Sequence, residues 1–332
     1  MSRRTHPKRS GELGFSLIEI MVAALIGLIG SVIIFQVFAI SENQKRTTTG
    51  GADAAQSGLL ALFSIEREAR MAGFGINYPP LLGCNVIGYD VGPPVRNPMA
   101  SFTLVAAEII DGASGAPDTL KFVYGDSNFM VAPVRLNSAS NSGSTLHRVN
   151  LPFGFATGDL IVAGYSGSAG TNCTLQQVSG IGAVQEEILH DDGTRYNLST
   201  LAGQPNYPAW SNTSQDGGVI YNLGAAPSVS YYEIPNDQAT WFGRQLTYYN
   251  LLTHAAADRT AVMDGIVQLQ AEYGKDSGTD GTVDGWDNVA PATREQWAQV
   301  LAIRVALLAR SSEFDKSHCA ANPQWTKGGV KP

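Results

Sequence analysis

Gly14-Phe15-Ser16-Leu17-Ile18-Glu19-Ile20, with the apolar run behind it, sets the architecture of the whole chain. From Ile20 to Ser41 no residue carries a charge, and most are Val, Ile, Leu, Ala, Met or Phe. A helix needs about 20 such residues to cross the hydrocarbon core of a bilayer, where only the helix itself satisfies backbone N–H and C=O groups. The run is long enough to span. One carboxylate, Glu19, stands at its head. Upstream, Arg3, Arg4, Lys8 and Arg9 are set against a single acid, Glu12.

An ordinary secretory signal has an apolar core of about 7–15 residues followed by a small-residue cleavage site. Here the apolar run is longer, and Phe38-Ala39-Ile40-Ser41-Glu42 is a poor match to such a site. The better processing point lies before the run, between Gly14 and Phe15. Gly-Phe-Ser-Leu-Ile-Glu in this register resembles the class III signal of type IV prepilins. That resemblance implies cleavage after Gly14 by a prepilin peptidase and N-methylation of the new terminus, Phe15. It also makes Glu19 the fifth mature residue, the acid that pairs with the N-terminus of a neighbouring subunit during assembly. The chemistry fits, because a carboxylate in apolar surroundings needs a cationic partner or takes up a proton. The plainer alternative is an anchor helix that happens to carry a Glu.

Basic residues before the span keep the N-terminus cytoplasmic, so the remainder is expected on the far side of an inner membrane. The whole chain carries −7, and the basic leader makes the part beyond it more acidic still. An acidic exported domain lacks the positive footprint of a nucleic-acid binder, so no nucleic-acid partner is expected. The 332 residues include 36 Gly, above the usual ~7%. With many Ser, Thr and Asn, this composition suggests a loop-rich β domain.

Residues 1–14 read as leader and 15–41 as the transmembrane and assembly helix. Residues 42–73 read as its amphipathic continuation, with a weak point at Thr47-Thr48-Thr49-Gly50-Gly51. Leu59, Leu62, Phe63 and Met71, with Ile65 nearby, are expected to form the apolar side, and Glu66, Arg67, Glu68 and Arg70 the polar one. Gly73-Phe74-Gly75 should end the helix.

From there to residue 313 the period changes. Runs at 102–105, 119–124, 160–163, 219–221, 229–234 and 245–251 read as strands separated by Gly, Pro, Asn, Ser and Asp. The clearest are Val267, Leu269, Ala271 and Tyr273, and Leu301, Ile303, Val305 and Leu307, each alternating with wetter residues. Residues 137–144 read as a surface loop. Residues 314–332 read as a polar tail. The fold class expected is α+β and pilin-like: a long N-terminal helix packed on a β-rich globular domain.

Further stretches sharpen the resemblance. Arg70-Met71-Ala72-Gly73-Phe74-Gly75, Gly158-Asp159-Leu160-Ile161-Val162 with Cys173, Met263 through Gly274, and Ile303 through Ser311 look like the PilW family of minor pilins. This implies a non-catalytic subunit whose partners are other minor pilins and the major pilin. A pseudopilin of type II secretion and a membrane-anchored adhesin that never polymerises are the rivals.

Three cysteines allow one disulfide and leave one thiol over. The spacing does not choose a pair; Cys84 with Cys173 is the pairing expected, with Cys319 free. The absence of a CxxC pair argues against zinc. Asp276, Asp280, Thr282, Asp284 and Asp287 fall at ligand positions of an EF-hand-type calcium loop. Gly278 supplies no oxygen at the third position, however, and position twelve is Asp rather than Glu. The alternative is a solvated hairpin loop, and no cofactor is required beyond that calcium. Catalytic signals are weak: Gly164-Tyr165-Ser166-Gly167-Ser168 does not complete G-x-S-x-G, and no HExxH or phosphate loop occurs. His190-Asp191-Asp192 is expected to be an exposed turn.

Overall fold

A computed structural model describes residues 14–76, 79–92, 95–96, 99–127, 132–137, 145–165, 172–183, 186–197, 218–235, 244–254, 258–311, 325–326 and 329–330. The leader before Gly14, residues 138–144, Cys319 and most of the tail lie outside the described residues.

One helix, α1 (Leu17–Met71), runs unbroken for 55 residues, about 82 Å at 1.5 Å per residue. It passes through 47–51 without the interruption expected there. The Thr47 and Thr48 hydroxyls donate to the carbonyls of Asn43 (3.0 Å) and Gln44 (2.9 Å), one turn back. Bonded in this way, the threonines do not offer the backbone a competing partner. The helix ends where expected. Gly73 takes a positive φ of 87°, which only glycine adopts at no steric cost. Its N–H then donates to Val123 O at 2.8 Å, and Gly125 N–H donates to Phe74 O at 2.8 Å. The helix end is thereby stitched to a strand.

The strands that follow are β1 (Asn85–Ile87), β2 (Phe102–Thr103), β3 (Ala107–Ile110), β4 (Thr119–Tyr124), β5 (Val134–Arg135), β6 (Leu146–Arg148), β7 (Leu160–Tyr165), β8 (Asn172–Gln177), β9 (Gly180–Ile181) and β10 (Glu187–Leu189). After them come β11 (Gly218–Gly224), β12 (Ser228–Glu233), β13 (Gln245–Asn250), β14 (Thr260–Asp264), β15 (Ile266–Lys275), β16 (Gly285–Asp287), the short helix α2 (Arg294–Ala298) and β17 (Val300–Ala309). They build a six-stranded sheet ordered β2-β1-β8-β7-β11-β5 and a five-stranded sheet ordered β14-β13-β12-β4-β3. Two three-stranded sheets, β6-β10-β9 and β16-β15-β17, complete the unit. Among the described residues only β1 with β8 pairs parallel in these sheets.

Ala54–Arg310 forms one compact unit, and the helix up to Asp53 belongs to a second. The compact unit therefore includes the last part of α1, residues 54–71. Leu120, Phe122, Leu246, Leu269 and Tyr273 gather on Ala61 and Ile65 of the helix. A second core holds Val86, Cys84, Cys173, Leu175 and Tyr221. Cys84 and Cys173 are bonded there, with Cα atoms 6.0 Å apart. A third core lies under β6-β10-β9, around Val149, Ile161, Ile188 and Ile220.

The period-2 pattern of β15 appears as alternating burial. On β17 it does not, since its residues are nearly all half-buried. It is the edge strand of its sheet, so each side chain keeps one wet flank. Val105 lies outside its expected strand, and the run from Phe102 pairs only through Thr103.

Candidate functional site

The two regions to which the sequence assigns a role are the two ends of α1. At the first, Phe15 is 80% exposed and the helix begins at Leu17. Ser16 and Glu19 bond reciprocally: Glu19 N–H donates to Ser16 Oγ at 3.3 Å, and Ser16 N–H to the Glu19 carboxylate at 3.5 Å. This is a capping box, which satisfies orphan donors of the first turn. A negative charge also suits the positive end of the helix dipole. Glu19 thus has a second, local reason to stand five residues after Gly14. The S-x-x-E pattern carried that signal in the sequence. Behind it, Ile20, Val22, Leu25, Ile29, Ile33 and Phe38 are all exposed, and the most apolar window of the helix is 0% buried by the rest of the chain. That is what a segment solvated by lipid or by other helices requires.

At the other end the helix face differs from the one expected. The inward residues are Ala61 (0% exposed), Ile65 (3%) and, half-buried, Ala69 and Ala72. Leu59 and Phe63 point outward, 68% and 63% exposed. Glu68, expected on the polar side, is only 4% exposed. Its Oε2 accepts from the Tyr124 hydroxyl of β4 (2.9 Å) and the Ser230 hydroxyl of β12 (3.1 Å). Burial, with the neighbouring Glu68 charge adding to it, pushes the Tyr124 hydroxyl up to about 12, so it stays a donor at neutral pH. Tyr232 OH reaches the Ser64 carbonyl at 3.4 Å. The position of Glu68 depends on partners 56 and 162 residues away, which no local pattern encodes.

The PilW-like stretches have structural work. Asp159 accepts from Ala156 N–H and from Asn222 Nδ2, both at 2.8 Å, and ties the entry of β7 to β11. Gly265 turns β14 into β15 at φ 76°, and its carbonyl accepts from Arg310 N–H at 2.7 Å. Arg304 of β17 pairs with Glu272 and lies 4.9 Å from the Trp286 ring centroid.

In the loop after β15 the carboxylates are spent on the turn. Asp276 accepts from Gly281 N–H (2.8 Å), Asp280 from the Thr282 hydroxyl (2.6 Å), Asp284 from Gly278 N–H (2.7 Å), and Asp287 from Lys275 Nζ (2.6 Å). Among the described residues no three His, Cys, Asp or Glu side chains are placed to share one metal ion. His190 is not in an exposed turn. It is fully buried and stacks on His147, ring centroids 4.3 Å apart. His147 Nε2 bonds Gln176 Oε1 at 2.7 Å. The signal missed was β10, which carries the chain inward up to Leu189; Asp191 is then held by Ser179.

A long apolar N-terminal helix joined to a β-rich domain defines an α+β, pilin-like class of protein. Residues 231–332 match the sequence model of a family described as Type IV Pilus-assembly protein W. That match runs from within β12 through β17 to the tail. It supports the resemblance drawn from the motifs and points to type IV pilus assembly as the process the chain serves. No curated protein and no solved structure matches the chain.

Proposed function

We propose that the chain is a minor pilin. It is made as a precursor, cleaved between Gly14 and Phe15 by a prepilin peptidase, and N-methylated at Phe15. It waits in the inner membrane with its N-terminus cytoplasmic and its β domain periplasmic. It then joins other minor pilins and the major pilin in a priming or tip complex. In this reading Glu19 meets the cationic N-terminus of a neighbour, an exchange of its bond to Ser16 for a full charge pair. No residue acts catalytically and no cofactor is needed.

The observation that carries the proposal is the conjunction on one chain. A spanning helix with a single carboxylate at its head continues, without a break, into a domain whose later strands match a pilus-assembly family. The test is mass spectrometry of the mature N-terminus from sheared-pilus and membrane fractions. Methylated Phe15 in the pilus fraction is the expected result. An intact leader, or cleavage near residue 40, overturns it. Glu19→Ala should still be cleaved yet fail to enter filaments. Loss of protein secretion rather than of twitching on deletion would instead point to a type II secretion pseudopilin.

A further inference from the structure

The domain-bound part of α1 poses a packing problem. At 100° per residue, Ala61, Ile65, Glu68 and Ala72 share one side of the helix, and Leu59 and Phe63 lie opposite. Large apolar side chains gain most from burial, each more than an alanine. Apolar burial by itself therefore favours a helix turned half round, with Leu59 and Phe63 against the sheets. The structure does the reverse: Ala61, Ile65 and Glu68 go in, and Leu59 and Phe63 are left exposed.

What opposes the turn is polar. Glu68 is on the inward side, and its Oε2 takes two hydroxyl donors from two different strands. A third hydroxyl, from Tyr232, reaches the helix backbone one turn earlier. Turning the helix would strip the carboxylate of both donors, leaving Ser230 only its long 3.5 Å contact with the Phe122 carbonyl and Tyr124 only its bond with Ser228. Each buried polar group left without its partner is costly, and a charge the more so. Buried polar contacts of this kind select one packing over a competing apolar one.

We infer that Glu68 is a positioning residue that sets the rotation of α1 on the domain and thereby keeps Leu59, Leu60 and Phe63 outward. The rotation does not depend on the minor-pilin reading.

The test uses the full chain in detergent with Cys319→Ser, carrying either Leu59→Cys or Ile65→Cys, and measures maleimide labelling under non-reducing conditions. With Glu68 intact, position 59 should label on the order of tenfold or more faster than position 65. Tyr124→Phe, the mildest change, should narrow that ratio about fivefold. Glu68→Leu should remove or invert it. Glu68→Gln should keep it, because the amide oxygen still accepts both hydroxyls. A general loss of stability would speed labelling at both positions and would not favour position 65 over position 59. An unchanged ratio in Tyr124→Phe, or Glu68→Gln behaving like Glu68→Leu, overturns the inference. The assay needs no pili, so its failure and a failure of N-terminal processing are read separately.

Discussion

At each end of α1 one carboxylate is singled out by its bonding, Glu19 at the first and Glu68 at the second, and the two are held in opposite ways. Glu19 is exposed and bonds only to its own helix turn. Glu68 is buried and bonds to β4 and β12. The apolar residues around them differ too. Around Glu19 the large apolar side chains are exposed among the described residues. Before Glu68, Ile65 enters the core, while Leu59 and Phe63 face outward although that core is available to take them. Hydrophobicity thus reports that a surface needs a partner. Which partner it gets is decided by the polar groups that cannot go unsatisfied.

That contrast can be broken by charge insertion. Ile65→Asp places an uncompensated carboxylate in the Leu120–Phe122–Leu246 core and should cost about 3–5 kcal/mol of domain stability, read by thermal unfolding. Ile29→Asp, in the exposed apolar stretch of α1, should leave domain unfolding unchanged. It should instead weaken membrane integration by about 2.5–3.5 kcal/mol, read by extraction of the full chain. If both changes act on the same transition, the two halves are not distinct environments.

The domain is also covalently fastened where the span is not. Cys84→Ser with Cys173→Ser should cost about 2–5 kcal/mol, visible as a lower Tm of the domain with the helix signal of the span retained.

Acid should separate the halves more gently. Burial, foremost, holds His147 down to about 4 and His190 to about 2, below the ordinary 6.5, with His147 adding to the effect on His190. Their folded values are depressed, so the unfolded chain takes up protons first as the pH falls. The stability of the neutral pair is full above about 6.5 and is lost from there down towards about 4 for His147 and about 2 for His190. The loss should be up to about 1.4 kcal/mol per histidine per pH unit. His147→Gln with His190→Leu should flatten that slope in chemical denaturation at pH 7 and pH 5.

The smallest effect sharpens the contrast most. Leu59→Ser with Phe63→Ser should change domain stability by no more than about ±0.5 kcal/mol, as exposed substitutions do. Recovery of neighbouring pilins by cross-linking should nevertheless fall. A large stability loss would mean that the outward face is already covered within the chain.

Much of this architecture is legible in the residues alone. The uncharged run from Ile20 to Ser41 dictates a helix long and apolar enough to cross a membrane, because a backbone in hydrocarbon has no other way to satisfy its groups. Gly73 marks the helix end, because it alone tolerates the positive φ. The alternation of Val267 through Tyr273 announces a half-buried strand, because side-chain period and burial there are the same fact. These are local signals, written within a few residues of the feature they produce.

Tertiary structure decided what depends on distant partners. His190 went inside because β10 and β6 brought it onto His147. The helix turned Ala61, Ile65 and Glu68 inward because Glu68 met Tyr124 and Ser230 on two strands far along the chain. Apolar pattern is a property of the sequence, but satisfaction of a buried charge is a property of the folded neighbours, and where the two conflict the charge decides.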